Sequence, residues 1–102
     1  MYEEIFFERL AQLRTQKGVS ARDMSLSMGQ SESYINKIEN GASLPSMGAF
    51  FYICEYFGLT PAEFFDDSVE RPMVLQEVIS DLKDLNAEQL SHIHFIIKDI
   101  NG

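Results

Sequence analysis

The chain has 102 residues, of which 45% are apolar, which suits one domain with a modest core and excludes a disordered tail. No apolar run approaches the ~20 residues that cross a bilayer, and the first residues, Met1 to Arg9, are acidic where a secretory signal is basic, so the expected location is the cytoplasm, away from membranes. A single cysteine rules out an intrachain disulfide, and a formal charge of −8 weighs against a polyanionic partner unless the charge is unevenly placed.

Phe6, Leu10 and Leu13 recur at helical spacing and predict a first helix over 5–17, stopped by Gly18. Ser20 is the predicted cap of a second helix, with Asp23 as a shortened capping-box partner. Met24 and Met28 are its inward face, Ser25 is small where another helix crosses, and Gly29 supplies a turn. The third helix is predicted from a Ser31 cap to about Asn40, with Ile35 and Ile38 buried and Gly41 as its stop.

Pro45-Ser46 opens a strongly apolar fourth helix carrying Met47, Phe50, Phe51, Ile53, Cys54 and Phe57. Cys54 on that face is expected to be a buried, inert thiol. Thr60-Pro61-Ala62-Glu63 combines a cap, a proline at the first helical position and a glutamate at the third, and starts a short helix ending near Phe65. Residues 66–72 form an acidic connector. Beyond it, Leu75, Val78, Leu82 and Leu85 make one apolar stripe, and Leu90, Ile93, Ile97 and Ile100 make another, on a helix capped by Asn86 with Gln89.

Each of these last helices is too short to stand alone in water, so both must pack on something. They either close as a hairpin onto the first domain or form a dimerisation arm, and Phe95 and Ile96 widen the apolar face beyond what a hairpin buries. No segment alternates with period two. The expected architecture is all-α: a five-helix domain over 1–65, the connector 66–72, and a two-helix dimerisation region over 73–102.

Positions 6–65 resemble the phage-repressor-like (Cro/CI, or XRE) helix-turn-helix family of transcriptional regulators. The likeness is carried by Arg9-Leu10-Ala11-Gln12-Leu13-Arg14, Lys17-Gly18-Val19-Ser20, Met24 with Gly29, Ser33 to Gly41, Pro45, and Phe57 to Phe65. It implies a lambda-repressor-like fold whose third helix enters the major groove of double-stranded DNA. The base-facing positions it implies are Glu32, Ser33 and Lys37, with Asn36 beside them. Ser31, Tyr34 and Asn40 are implied to touch phosphate or sugar. Where relatives commonly carry a phosphate-binding glutamine this chain has Ala21, which neighbouring Arg22 replaces in part. The resemblance also implies an architectural ion pair, Arg14 with Glu39, that locks the recognition helix to the first helix. Chemically, Lys37 can donate to guanine and Glu32 can accept from a cytosine amino group, whereas hydroxyl and amide groups set the register on the backbone.

The charge is indeed uneven. Residues 1–65 hold five Lys/Arg (Arg9, Arg14, Lys17, Arg22, Lys37) against eight Asp/Glu, giving −3, and residues 66–102 hold three against eight, giving −5. The implied reading half is still not basic, so the expected log–log salt slope is shallow, roughly −2 to −4 per protomer. Dimerisation on a pseudo-palindromic operator then matters, because linked half-sites multiply affinity without new contacts. The competing reading is an acidic protein-interaction module, including an antitoxin-like one, that binds a partner protein and little or no DNA. No phosphate-cradling loop, nucleophile elbow or metal-ligand spacing points to an enzyme, a metal or a cofactor. His92 and His94, two apart on a helix, point in different directions and cannot chelate one ion.

Overall fold

The computed structural model describes residues 1–102 as seven α-helices and no strand: α1 (Tyr2–Lys17), α2 (Ala21–Ser27), α3 (Tyr34–Glu39), α4 (Met47–Phe57), α5 (Pro61–Phe65), α6 (Pro72–Lys83) and α7 (Ala87–Asn101). The all-α expectation is met. Helix starts follow local side-chain chemistry. Ser20 Oγ accepts from the Asp23 amide and Ser46 Oγ from the Ala49 amide. Thr60 with Glu63, and Asn86 with Gln89, complete reciprocal capping boxes.

Three local expectations change. α1 begins at Tyr2, earlier than its apolar spacing predicts, because Glu3 and Glu4 suit a first helical turn. Asp23 contributes only its amide to the α2 cap; its carboxylate makes no reciprocal bond. Ser31 does not cap α3. Its backbone carbonyl accepts the Tyr34 amide at 3.0 Å, so residues 31–33 form a turn, and Ser33 at the cap position makes no side-chain cap bond.

The core gathers Phe6, Leu10 and Leu13 of α1, Met24 of α2, Ile35 and Ile38 of α3, Ile53, Cys54 and Phe57 of α4, then Leu59 and Phe64. Met28 is only partly buried against it. Burial pushes the Cys54 thiol up to about 11, which removes its nucleophilic form at neutral pH. An aromatic wall of Phe6, Phe50 and Phe64, with ring centroids 5.3–5.8 Å apart, seals α1 against α4 and α5. Gly41 is favoured by its backbone: its φ of +77° is left-handed.

The connector after α5 is tied down by a residue of α1. Arg9 is 6% exposed and donates Nε to the Phe64 carbonyl at 2.5 Å. Its Nη2 reaches the carbonyls of Asp66 (3.1 Å), Glu63 (3.4 Å) and Val69 (3.4 Å). One guanidinium thus satisfies the last turn of α5 and the chain beyond it. Gln16 Nε2 donates to the Glu70 carbonyl at 2.9 Å, Pro72 is buried, and Met73 packs on the core. The root of α6 is therefore fixed to the first domain.

The attachment extends to Gln76 of α6, which donates to the Glu63 carboxylate, and thins beyond it. α7 has no buried residue. Phe95 is 73% exposed, and Val74, Leu75, Val78, Ile79, Leu90, Ile96, Ile97 and Ile100 are also exposed. The radius of gyration is 16.8 Å, against the ~13 Å of a compact chain this long, and the extents are 51 × 28 × 21 Å. α7 therefore leaves its apolar stripe uncovered by the first domain.

Candidate nucleic-acid interface

Two short helices meet with their junction pinned by one hydroxyl. Ser25 is fully buried; its Oγ donates to the Ala21 carbonyl at 2.7 Å and accepts the Ile35 amide at 2.9 Å. The bond crosses from α2 into the first turn of α3 and satisfies an amide that has no partner within its own helix. Sequence alone marks Ser25 only as small; its polar role needs the α2–α3 geometry.

The other end of α3 is locked to α1. Arg14 Nε donates to Glu39 Oε2 at 2.7 Å and Nη2 to Oε1 at 3.0 Å, a two-pronged pair, while Nη1 holds the Val19 carbonyl at 2.9 Å. The side chains are 20% and 11% exposed. Glu39 raises the Arg14 pKa further, so the guanidinium stays charged at any ordinary pH. The implied architectural pair is present.

Between these anchors, α3 buries Ile35 and Ile38 and turns its other face outward. Glu32, Asn36, Lys37 and Asn40 are exposed, as are Ser31 and Arg22, whereas Ser33 and Tyr34 are half-buried and Tyr34 packs partly on the core. The outward residues share one surface across the α2–α3 junction. A helix held firmly at both ends with an uncovered polar face is the geometry that inserts into a major groove.

A helix-turn-helix family model matches residues 10–64, more than half of the chain. The chain belongs to the XRE/Cro–CI-like helix-turn-helix family. It is accordingly a DNA-binding helix-turn-helix protein with an all-α fold. Neither the curated proteins nor the solved structures contain a significant match to it. No helix of this helix-turn-helix protein is long and apolar enough to cross a membrane.

The cations of the helix-turn-helix domain are mostly committed. Arg9 is buried on backbone carbonyls and Arg14 is paired with Glu39. Lys17 lies 4.8 Å over the Tyr56 ring and donates to the Tyr56 carbonyl at 3.3 Å. Arg22 Nε donates to Glu32 Oε2 at 3.0 Å, a pair in which both side chains are 66% exposed. Lys37 alone makes neither an ion pair nor a hydrogen bond. Sequence counts five cations here; the fold leaves one uncommitted. Arg9 is the residue that sequence reading misses: besides Gln12 one turn on, its acceptors lie 54–60 residues away and are backbone carbonyls, which no residue pattern marks.

The arm carries the second surface of interest. A groove of 520 Å³ runs between α6 and α7, lined by Leu82, Ala87, Leu90, Ser91, Ile93, His94 and Ile97. Four of its walls, Leu82, Leu90, Ile93 and Ile97, belong to the apolar stripes that the sequence marks.

Proposed function

We propose that the protein is a sequence-specific transcriptional regulator that binds a pseudo-palindromic operator in the cytoplasm as a homodimer. The observation that carries the reading is the outward face of α3, held at one end by Ser25 and at the other by the Arg14–Glu39 pair. In it, Ser33, Asn36 and Lys37 face the bases, Glu32 accepts from a cytosine amino group, and Ser31, Tyr34, Asn40 and Arg22 meet the backbone.

The two-copy part of the reading is supported by the arm. Exposed apolar surface as continuous as that of α6 and α7 marks a surface meant for a partner. Here the partner is the same surface of a second copy, with Leu75, Val78, Leu82 and Leu85 of one arm packing with Leu90, Ile93, Ile97 and Ile100 of the other. A domain with so few free cations gains most from such pairing, because the second half-site adds affinity by proximity alone. The arm's firmly tied root would carry that symmetry to the two α3 helices.

One observation favours the alternative of a protein-interaction module. Four of the five cations in the reading half are engaged internally, which weakens attraction to any phosphate backbone. Fluorescence anisotropy separates the two. A random-sequence duplex and the promoter of the protein's own gene are titrated at low salt with wild type and Lys37→Ala. The regulator reading expects binding that Lys37→Ala reduces at least about fivefold, in line with ~1–3 kcal/mol for a base contact. Identical curves for the two proteins, or no binding at all, favour the protein-interaction reading.

A further inference from the structure

The Arg22–Glu32 pair is unlike the other ion pair between side chains. Arg14–Glu39 is shielded and architectural, whereas Arg22 and Glu32 are each two-thirds exposed, and their 3.0 Å contact joins the first turn of α2 to the turn preceding α3. It holds together no core and buries nothing. It does, however, occupy the one guanidinium on the outward surface, ten residues from its partner, with Lys37 as the remaining cation there.

We propose that Glu32 is an internal stand-in for phosphate, and that its exchange with DNA sets how well the protein separates its operator from other sequences. The proposal rests on the DNA-binding reading above. A carboxylate and a phosphate each present two anionic oxygens to a guanidinium, so each can replace the other as its acceptor. An exposed pair is weak, so phosphate can displace the carboxylate without a structural penalty. Displacement frees Glu32 in the turn that leads into α3, beside the surface that looks toward the bases. At a site with a cytosine amino group in reach, the carboxylate takes a new donor and both halves of the broken pair are satisfied. Adenine, the other base with a major-groove amino donor, serves as well, whereas opposite guanine or thymine the carboxylate is left without a donor beside the phosphates. Non-specific DNA therefore meets one free lysine and a neutral pair, and only the matching sequence completes the exchange.

The test is a double-mutant cycle on a random-sequence 20-base-pair duplex, using wild type, Glu32→Gln, Arg22→Ala and the double variant. All changes lie at exposed positions, and thermal melts verify that the four proteins are equally folded. Glu32→Gln is expected to bind about two- to fivefold more tightly, the size of one released surface pair. Its log–log salt slope is expected to steepen by about 0.9 as Arg22 neutralises one more phosphate. Both gains should vanish in the Arg22→Ala background. A gain that persists undiminished there identifies plain repulsion between Glu32 and DNA and overturns the exchange, as does no gain at all. Absence of binding by all four proteins overturns the DNA-binding reading itself and this proposal with it.

Discussion

Replacing Glu39 with alanine removes the acceptor for two of the three hydrogen bonds of Arg14 and strands a guanidinium that is only 20% exposed. An exposed pair contributes at most about 1 kcal/mol, and breaking a fully buried one costs roughly 3–5 kcal/mol. The Arg14–Glu39 pair lies nearer the buried limit, but the remaining exposure and the bond to the Val19 carbonyl let the stranded group be partly solvated and partly held. The expected loss is about 2 kcal/mol, which for a domain of this size lowers Tm by roughly 8–16 °C. Circular dichroism melts of wild type, Glu39→Ala, Arg14→Ala and the double variant measure the pair directly. The double variant should lose clearly less than the sum of the singles, since removing both partners strands no charge. A Tm change under about 2 °C for Glu39→Ala, or strict additivity, would refute the claim that this pair locks α3 to α1.

Arg9→Met should act on the connector more than on α3. It leaves the carbonyls of Phe64 and Asp66 without their donor, at an expected cost of about 2–3 kcal/mol, and limited proteolysis should begin to cut within 66–72 at protease levels that spare wild type. Acid should loosen α5 through Glu63. The Thr60 amide, donating to its carboxylate at 2.9 Å, holds the Glu63 pKa below the ordinary value of 4.5. A depressed carboxylate stabilises the fold above that value and loses the contribution as pH falls through its folded pKa. Glu63→Gln keeps the capping geometry without the charge. It should melt slightly below wild type at pH 7, and the gap should close between pH 5 and 3; a gap that stays constant would dismiss the role of Glu63.

Much of this architecture is legible in the residues because its signals are local. A serine, threonine or asparagine three positions before a good acceptor or amide makes a cap by itself, which is why Ser20, Ser46, Thr60 and Asn86 read correctly. Ser31 misleads for the same reason: it satisfies the local pattern, but the buried Ser25 hydroxyl already serves the Ile35 amide and the chain turns once more before α3 begins. The site is legible only as far as its scaffold. Glycine stops and the Ile35–Ile38 face place the reading helix, and a family pattern names its outward positions. What each cation does there depends on partners far along the chain. Arg9 finds backbone carbonyls past residue 62, Lys17 finds the Tyr56 ring, and Arg22 finds Glu32 across a turn. None of those pairings has a spacing rule.

The proposed regulator requires α3 to read bases in two symmetric copies. Selection of bound sequences from a random duplex library, using wild-type protein at low salt, tests this most directly. The account predicts enrichment of a pseudo-palindrome whose half-sites lie about one helical turn, roughly 10–11 base pairs, apart. Enrichment should be lost by Lys37→Ala. A library recovered with no preferred sequence, or a single half-site with no symmetric mate, would contradict it.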